Sequence, residues 1–291
     1  MRLILMGTPN FVVPIFERIA SGHEIAAVFT RAPKPAGRKK LLTKSPVHIW
    51  AESRGIPVYT DVNDIEIIKG QKDKGTKGQA MNEMSFCPSD LLSIDYIIVA
   101  AYGVILRDNV LNFAPCVNIH PSDLPKYRGP SPMTTAIYNG DKTSAVCLMQ
   151  VAPAVDSGDI LACREFYIGE DDTIADIENK VSQIGGDMLV DYLSAPENYQ
   201  PAPQVGQPSF THKWTGADEV IDWSKSPREI HNQIRSIGGR TKINGIDVKI
   251  LETKLVDDKL EIMRIQPNGK NPMPMRDFLN GLRGAELTIG E

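Results

Sequence analysis

The sequence predicts an α/β fold with a mostly parallel sheet, followed by a smaller β-rich domain. An apolar run at residues 2–6 leads through a Gly-Thr-Pro turn into an amphipathic helix over residues 10–20. A second apolar run of strand length, EIAAVFT, follows at once. Strand, helix and strand in this order are typical of parallel sheets. The segments DYIIVAAYG and CVNIHP repeat the strand pattern, so the first part of the chain is predicted to be Rossmann-like.

The individual elements are predicted from their first residues and their breakers. Asn10 is a candidate N-cap for the first helix, and Ser45 followed by Pro46 predicts a helix over residues 45–54. A short strand is expected at residues 56–59. Pro33, Pro35 and Gly37 predict an irregular loop. Further along the chain we expect a helix over 131–139, strands over 144–151 and 160–168, and a helix over 173–194.

Composition divides the chain into two domains. Residues 1–194 are predicted to form the α/β domain, and residues 195–208 a linker, because residues 194–209 contain four prolines and a glycine. Residues 209–291 are predicted to form the β-rich domain. Its helix is capped by Ser224 or Ser226, and its strands lie in INGIDVKILETKLV and KLEIMRI.

Charge and composition exclude several classes of protein. With 42% hydrophobic and 23% charged residues the chain is typical of soluble globular proteins. A formal net charge of −4 argues against indiscriminate coating of nucleic acid. The five-residue apolar start is too short for a signal peptide or a membrane span. Four scattered cysteines without a CxxC pair predict a reduced, cytoplasmic location and, with five scattered histidines, no metal site.

One segment nevertheless carries a strong positive charge. Six cations and no carboxylate lie between Glu24 and Glu52, namely Arg31, Lys34, Arg38, Lys39, Lys40 and Lys44. Such a run is often a solvated surface, but it also suits contact with phosphates.

Three residues suggest chemistry. Asn118 and His120 are two residues apart on a predicted strand, so both side chains project from one face. An amide and an imidazole together can donate to a developing oxyanion, as in acyl transfer. A carboxylate beside an imidazole stabilises its cationic form, and Asp156 in the AVDSGD loop is the candidate partner.

Other interpretations of these residues remain open at this point. From spacing alone, a backbone cap, a core histidine and an ordinary turn are favoured. A Ser-His-Asp hydrolase lacks its GxSxG elbow, and a dinucleotide enzyme lacks GxGxxG.

The motifs taken together resemble one family. MGTPNF, PAGRKK, SPV, AAYGVIL, NIHPSDLPKYRGPSP, VDSGDIL and IDWS occur in the order found in the methionyl-tRNA formyltransferases, which use 10-formyltetrahydrofolate. The resemblance covers almost the whole chain. Asn-x-His with L-P-x-x-R-G and D-x-G-D is common to the folate-dependent formyltransferases of this fold, whereas the GTP and PAGR segments narrow it to the tRNA branch.

The resemblance implies roles for individual residues. Asn118 and His120 would stabilise the oxyanion formed when an amine attacks the formyl carbon, while Asp156 orients His120 and helps to move the proton. The folate would bind to the backbone of Gly103, Val104, Ile105, Leu106, Val155, Ser157, Gly158 and Asp159. Initiator methionyl-tRNA would contact Arg38 as the discriminating residue and Lys39, Lys40 and Lys44 through its phosphates. The expected protein is a monomer without membrane partner or metal.

Two departures from the family pattern keep alternatives open. Asp123 stands where an apolar residue is common, and the C-terminal domain is shortened, so that several strands of the expected barrel are missing. One alternative is a formyltransferase for a small amine such as an amino-sugar nucleotide. The other is a non-catalytic folate-binding or RNA-binding module.

Overall fold

The computed structural model describes residues 1–37, 40–70, 93–282 and 286–290. Its main sheet has seven strands in the order β5-β2-β1-β6-β7-β8-β9. These strands are β1 (Arg2–Gly7), β2 (Glu24–Phe29), β5 (Val58–Tyr59), β6 (Tyr96–Ala100), β7 (Cys116–His120), β8 (Thr143–Gln150) and β9 (Ile160–Tyr167).

The sheet is mostly parallel, as predicted. β1 pairs in parallel with β2 and β6, and β6 pairs in parallel with β7. β8 runs antiparallel to β7. The side chains of residues 3–6 are fully buried, because helices cover both faces of such a sheet and a central strand then has no solvated side. The predicted Rossmann-like α/β fold is therefore confirmed.

Eight α-helices lie in the described part of the chain, among them those predicted over residues 10–20, 45–54, 131–139 and 173–194. They are α1 (Val13–Ala20), α2 (Pro46–Ser53), α3 (Ile65–Gly70), α4 (Asp108–Leu111), α5 (Pro132–Tyr138), α6 (Ile174–Ser194), α7 (Pro227–Ser236) and α8 (Met275–Gly281). Ser45 caps α2 by accepting a hydrogen bond from the backbone N–H of His48, which confirms that prediction. Among the described residues no helix is both long enough and apolar enough to cross a membrane.

The prediction for Asn10 was wrong. A short 3-10 turn, Asn10–Val12, precedes α1, and neither the turn nor α1 has a side-chain cap hydrogen bond. Pro9 occupies the N-cap position of the turn instead, so Asn10 is already its first helical residue.

The basic segment is also more regular than predicted. Its described part forms a small antiparallel hairpin, β3 (Lys34–Ala36) with β4 (Leu41–Thr43). Pro35 lies within β3. A two-stranded hairpin has two edges, so a strand residue without a backbone N–H is tolerated where that N–H would have faced solvent. The prolines therefore did not exclude strand structure here.

The chain divides into two compact units. The first comprises Met1–His120, Val146–Arg164 and Val181–Gln207, and the second comprises Pro121–Ala145, Glu165–Lys180 and Pro208–Glu291. Most of the predicted linker, residues 195–208, belongs to the first unit. Ala202 forms an isolated antiparallel bridge with Ile160, the first residue of β9. The sequence analysis did not predict this pairing, because a proline-rich segment is typical of irregular structure.

The second unit contains the expected β-rich module. Four antiparallel strands form one sheet, namely β10 (Gly239–Ile243), β11 (Ile246–Val256), β12 (Lys259–Pro267) and β13 (Met273–Pro274). Helix α7 begins with a capping box, in which Ser226 and Glu229 each bond the other's backbone N–H. Ser226 rather than Ser224 is thus the cap. The buried side chains of Ile230 and Ile234 pack α7 onto the apolar cluster of this sheet.

The cysteines show a feature that the sequence did not indicate. Cys147 on β8 and Cys163 on β9 form a disulfide, with their Cα atoms 4.1 Å apart. These strands are neighbours in the sheet. Cys116 is a buried free thiol, and burial raises its pKa to about 12. Cys87 lies outside the described residues.

Candidate active site

Strand β7 carries the first two candidate residues. Asn118 lies opposite Val99 of β6 and Met149 of β8, which fixes its position inside the sheet. His120 is the last residue of the strand, and its side chain is only 5% exposed. Because the two residues are separated by one position, their side chains leave the same face of the sheet.

Asp156 reaches His120 from a different segment. Its carboxylate Oδ2 lies 3.6 Å from His120 Nδ1. This separation is an ion-pair contact when the imidazole is protonated, and it is too long for a well-formed hydrogen bond. The structure thus brings together two residues that are 36 positions apart in the sequence.

The path of the Asp156 segment is unexpected. Residues 151–159 connect β8 to β9, and we call them the aspartate loop. The loop begins beside the first residue of β7, where the Val151 N–H donates to the carbonyl of Cys116 at 3.0 Å. Asp156 nevertheless contacts the last residue of β7, four residues and about 13 Å further along that strand. The loop must therefore fold back along the strand.

Gly158 makes this return of the loop feasible. A Cβ atom built on Gly158 would lie 1.8 Å from the carbonyl oxygen of Gln150, so every other residue type would collide with the backbone. The same turn is closed by the Gln150 N–H, which donates to the carbonyl of Asp159 at 2.9 Å. The glycine of the DSGD motif is thus required by close backbone approach.

The aspartate loop has a further contact that the sequence analysis missed. The side-chain amide of Gln204 donates to the carbonyl oxygens of Asp156 and Gly158, each at 2.8 Å. Gln204 lies in the predicted linker, where the composition indicated only irregular structure. Its distance in sequence from the loop left no local pattern by which to find it.

The other predicted folate-binding segment follows β6. Gly103 has a φ of +71°, and its carbonyl accepts a hydrogen bond from Arg31 Nη2 at 2.8 Å. Leu106 is buried, whereas Val104 and Ile105 are 41% and 68% exposed. Exposed apolar side chains beside accessible backbone suit the binding of a flat, partly apolar heterocycle.

The predicted tRNA contacts are only partly described. Lys40 is exposed on the β3–β4 hairpin, with a φ of +47°. Lys44 Nζ contacts both carboxylate oxygens of Glu52, at 2.6 and 2.7 Å. This contact lowers the pKa of Glu52 and offsets part of the positive charge of the segment. Arg38 and Lys39 lie outside the described residues.

The remaining polar features do not form a metal site. Within residues 1–37, 40–70, 93–282 and 286–290, no three His, Cys, Asp or Glu side chains are grouped so that they could hold an ion. Asp123, the departure from the family motif, is exposed.

Comparison with known proteins identifies the family. Residues 1–193 match the model described as formyl transferase, and residues 213–261 match the formyl transferase C-terminal domain. The chain belongs to the formyl transferase family. It is 32% identical to a methionyl-tRNA formyltransferase of Rickettsia bellii, and the match covers 97% of each chain. The protein is therefore a formyltransferase.

Solved structures share the fold. A methionyl-tRNA formyltransferase from Clostridium thermocellum superposes with a TM-score of 0.62 at 14% identity, covering 92% of this chain and 98% of that one. An N-formyltransferase from Helicobacter canadensis, in complex with folinic acid and dTDP-3-aminofucose, has a TM-score of 0.61 at 23% identity and covers 87% of both chains. At such identities the similarity supports the α/β architecture and leaves the acceptor open.

Proposed function

We propose that the protein transfers the formyl group of 10-formyltetrahydrofolate to the amino group of methionine on initiator methionyl-tRNA, a step of translation initiation. The single observation on which the proposed chemistry rests is the 3.6 Å contact between Asp156 and His120. His120 lies on the same strand as Asn118. The acceptor is supported by the near full-length match to methionyl-tRNA formyltransferases and by the cationic segment at residues 31–44.

The reaction makes one bond and breaks one. The amine nitrogen attacks the formyl carbon, and the carbonyl oxygen acquires negative charge. The Asn118 amide and the His120 ring donate hydrogen bonds to this oxyanion. When the intermediate collapses, the bond from carbon to N10 of the folate breaks. The amine loses a proton and N10 gains one, so the products are formylmethionyl-tRNA and tetrahydrofolate.

Asp156 supports this chemistry through His120. Its carboxylate faces Nδ1, so it fixes the ring orientation and stabilises the cationic imidazole at the moment when charge develops on oxygen. The pair is also placed to move the amine proton.

The folate is proposed to bind between main-chain groups of two loops. Gly103, Val104, Ile105 and Leu106 follow β6, and Val155, Ser157, Gly158 and Asp159 belong to the aspartate loop. Val155 is 49% exposed, like its apolar counterparts after β6. The structure of the Helicobacter canadensis protein is a complex with folinic acid, which is a reduced folate like 10-formyltetrahydrofolate.

For tRNA, we propose that the β3–β4 hairpin approaches the acceptor stem. Arg38 would make the discriminating contact, while Lys39, Lys40 and Lys44 neutralise phosphates. Binding through Lys44 requires that its ion pair with Glu52 be exchanged for one with phosphate.

The decisive assay supplies 10-formyltetrahydrofolate with methionyl-tRNA, uncharged tRNA or an amino-sugar nucleotide as acceptor. We expect formylation of methionyl-tRNA and loss of that activity in His120→Ala. Uncharged tRNA has no reactive amine and controls for hydrolysis of the donor. Undiminished turnover by His120→Ala would eliminate the mechanism.

A small-amine acceptor is the second candidate, because the Helicobacter canadensis relative is described with dTDP-3-aminofucose and because Lys44 is already paired with Glu52. Replacing Arg38 and Lys39 by alanine distinguishes the two acceptors. The tRNA proposal requires a large rise in the KM for methionyl-tRNA. Activity with an amino-sugar nucleotide that survives this change, without any activity on tRNA in the wild type, would support the second candidate.

A further inference from the structure

We infer that Gln204 is a positioning residue, whose side-chain amide holds the aspartate loop in the conformation that presents Asp156 to His120. The inference rests on the proposed function of Asp156 and adds a residue from the predicted linker to the machinery of formyl transfer.

The aspartate loop needs support from outside. Asp156 has a φ of +47°, a left-handed conformation that costs a non-glycine residue free energy unless its surroundings enforce it. Within the loop, the Ser157 N–H and hydroxyl both donate to the carbonyl of Ala154, at 3.4 and 2.9 Å. Val155 projects to solvent.

Gln204 supplies that support with a matched pair of hydrogen bonds. A primary amide has two N–H donors, and those of Gln204 serve the carbonyls on either side of Ser157. The two carbonyls therefore have to point at one nitrogen atom. Of the backbone conformations open to the Asp-Ser-Gly segment, this requirement selects those with both carbonyls turned toward the linker.

The segment that carries Gln204 is itself attached to the sheet. Ala202, two residues earlier, exchanges both backbone hydrogen bonds with Ile160, at 2.8 and 2.9 Å. Pro201 and Pro203 flank it and restrict the backbone. Within residues 201–208 only Gln204 is half-buried, whereas the others are exposed. A rigid, otherwise solvated segment thus turns one side chain inward, onto the loop that carries Asp156.

The variants are chosen to remove the two N–H donors of the Gln204 amide without shortening the side chain. Gln204→Met keeps the length of the side chain and removes both donors. Gln204→Glu also keeps the length but presents a carboxylate to two carbonyl oxygens. Gln200 is the matched control, because its amide donates within its own segment, to the Glu197 carbonyl at 3.1 Å.

The kinetic test measures single-turnover formyl transfer from 10-formyltetrahydrofolate to methionyl-tRNA. We expect Gln204→Met to slow the reaction by about 10- to 100-fold, since small displacements of a reacting group have effects of this size, and Gln200→Met to match the wild type. The tRNA concentration that half-saturates the single-turnover rate should not change. Thermal unfolding of each variant identifies any that fail to fold, and Gln204→Glu then provides the second measurement.

The readout specific to positioning is the coupling to Asp156. In an Asp156→Asn background, Gln204→Met should slow the reaction less than twofold, because the group it positions is already gone. An equal loss in both backgrounds would overturn the inference and assign Gln204 a merely structural role, as would wild-type rates in Gln204→Met.

Hydrogen exchange separates this inference from the proposed function. Gln204→Met should accelerate amide exchange in residues 151–159, and Gln200→Met should not. If amide exchange in residues 151–159 were unchanged in Gln204→Met, the proposal that Gln204 holds the loop would be refuted. If the wild type formylates no tRNA, the proposed acceptor fails, but the exchange experiment still decides whether Gln204 holds the loop.

Discussion

Two histidines of this chain are buried to nearly the same degree but lie in different elements and have different hydrogen-bond partners. His120 is 4% exposed and His231 is 3% exposed. His120 ends strand β7 with a carboxylate at Nδ1, whereas His231 lies in helix α7 of the second unit. Burial therefore does not distinguish the proposed catalytic histidine from the other one. The partner of each ring nitrogen and the position in the fold are more informative.

His231 has the environment of a structural residue. Nδ1 is 2.8 Å from the hydroxyl of Thr253, and Nε2 is 3.1 Å from the carbonyl of Glu170. Burial lowers the pKa of His231, and the exposed Asp171 carboxylate, 3.4 Å from Nε2, opposes this only in part. A neutral ring with both nitrogens engaged connects the helix to a strand and a loop. Nothing in this arrangement calls for chemistry.

The largest effect on catalysis is expected at His120. His120→Asn should lower the rate of formyl transfer by about 10³-fold, because an oxyanion donor and a proton-transfer group are lost together. The apparent melting temperature should change little. His231→Gln is the control and should retain activity within about twofold. Similar activity losses in the two variants would contradict the assignment of a catalytic role to His120 and a structural role to His231.

Asp156 should show the next largest effect. Asp156→Asn keeps the shape of the side chain and removes the charge that faces His120 Nδ1. We expect the single-turnover rate to fall by about 10²-fold, with binding of tRNA unchanged. A rate equal to that of the wild type would mean that the 3.6 Å contact has no catalytic role.

At His231 the expected loss is in stability. His231→Ala leaves the Thr253 hydroxyl and the Glu170 carbonyl without their buried partner, and we expect a loss of about 2 kcal/mol in the free energy of unfolding. Urea denaturation measures this loss. Turnover per folded molecule should be preserved, and a kcat that falls with stability would contradict the structural assignment.

The smallest expected effect is a pH dependence of stability. Because burial holds the pKa of His231 below 6.5, the unfolded chain takes up a proton in a range where the folded chain does not. This residue's contribution is therefore intact above pH 6.5 and is lost as the pH falls toward the folded pKa. His231→Gln should remove that component from a urea series between pH 5 and 7. An identical pH profile in this variant would refute the assignment.

Sequence reasoning selected the candidate residues on β7, Asn118 and His120, and missed Gln204, which contacts the aspartate loop. Asn118 and His120 follow from a two-residue spacing on an apolar strand, and Ser45 follows from a local cap pattern. Gln204 contacts a carbonyl 48 residues away. Hydrogen bonds from a side chain to a distant backbone leave no periodic signal, and the surrounding prolines suggested only an irregular linker.

The same limitation explains the other differences. Local propensity does not include contacts with residues distant in sequence. Such contacts decide which residue begins the first helix and whether two prolines prevent a hairpin. The pairing of β8 with β9, which joins Cys147 to Cys163, depends on the order of strands in the sheet.

The central claim is that Asp156 acts through His120, and single-turnover formyl transfer to methionyl-tRNA tests it most directly. The wild type, His120→Asn, Asp156→Asn and the double variant are compared under one condition. If the two residues act as a unit, the double variant should be slower than the wild type by about 10³-fold, no worse than His120→Asn alone. Independent losses that multiply to about 10⁵-fold would contradict the account.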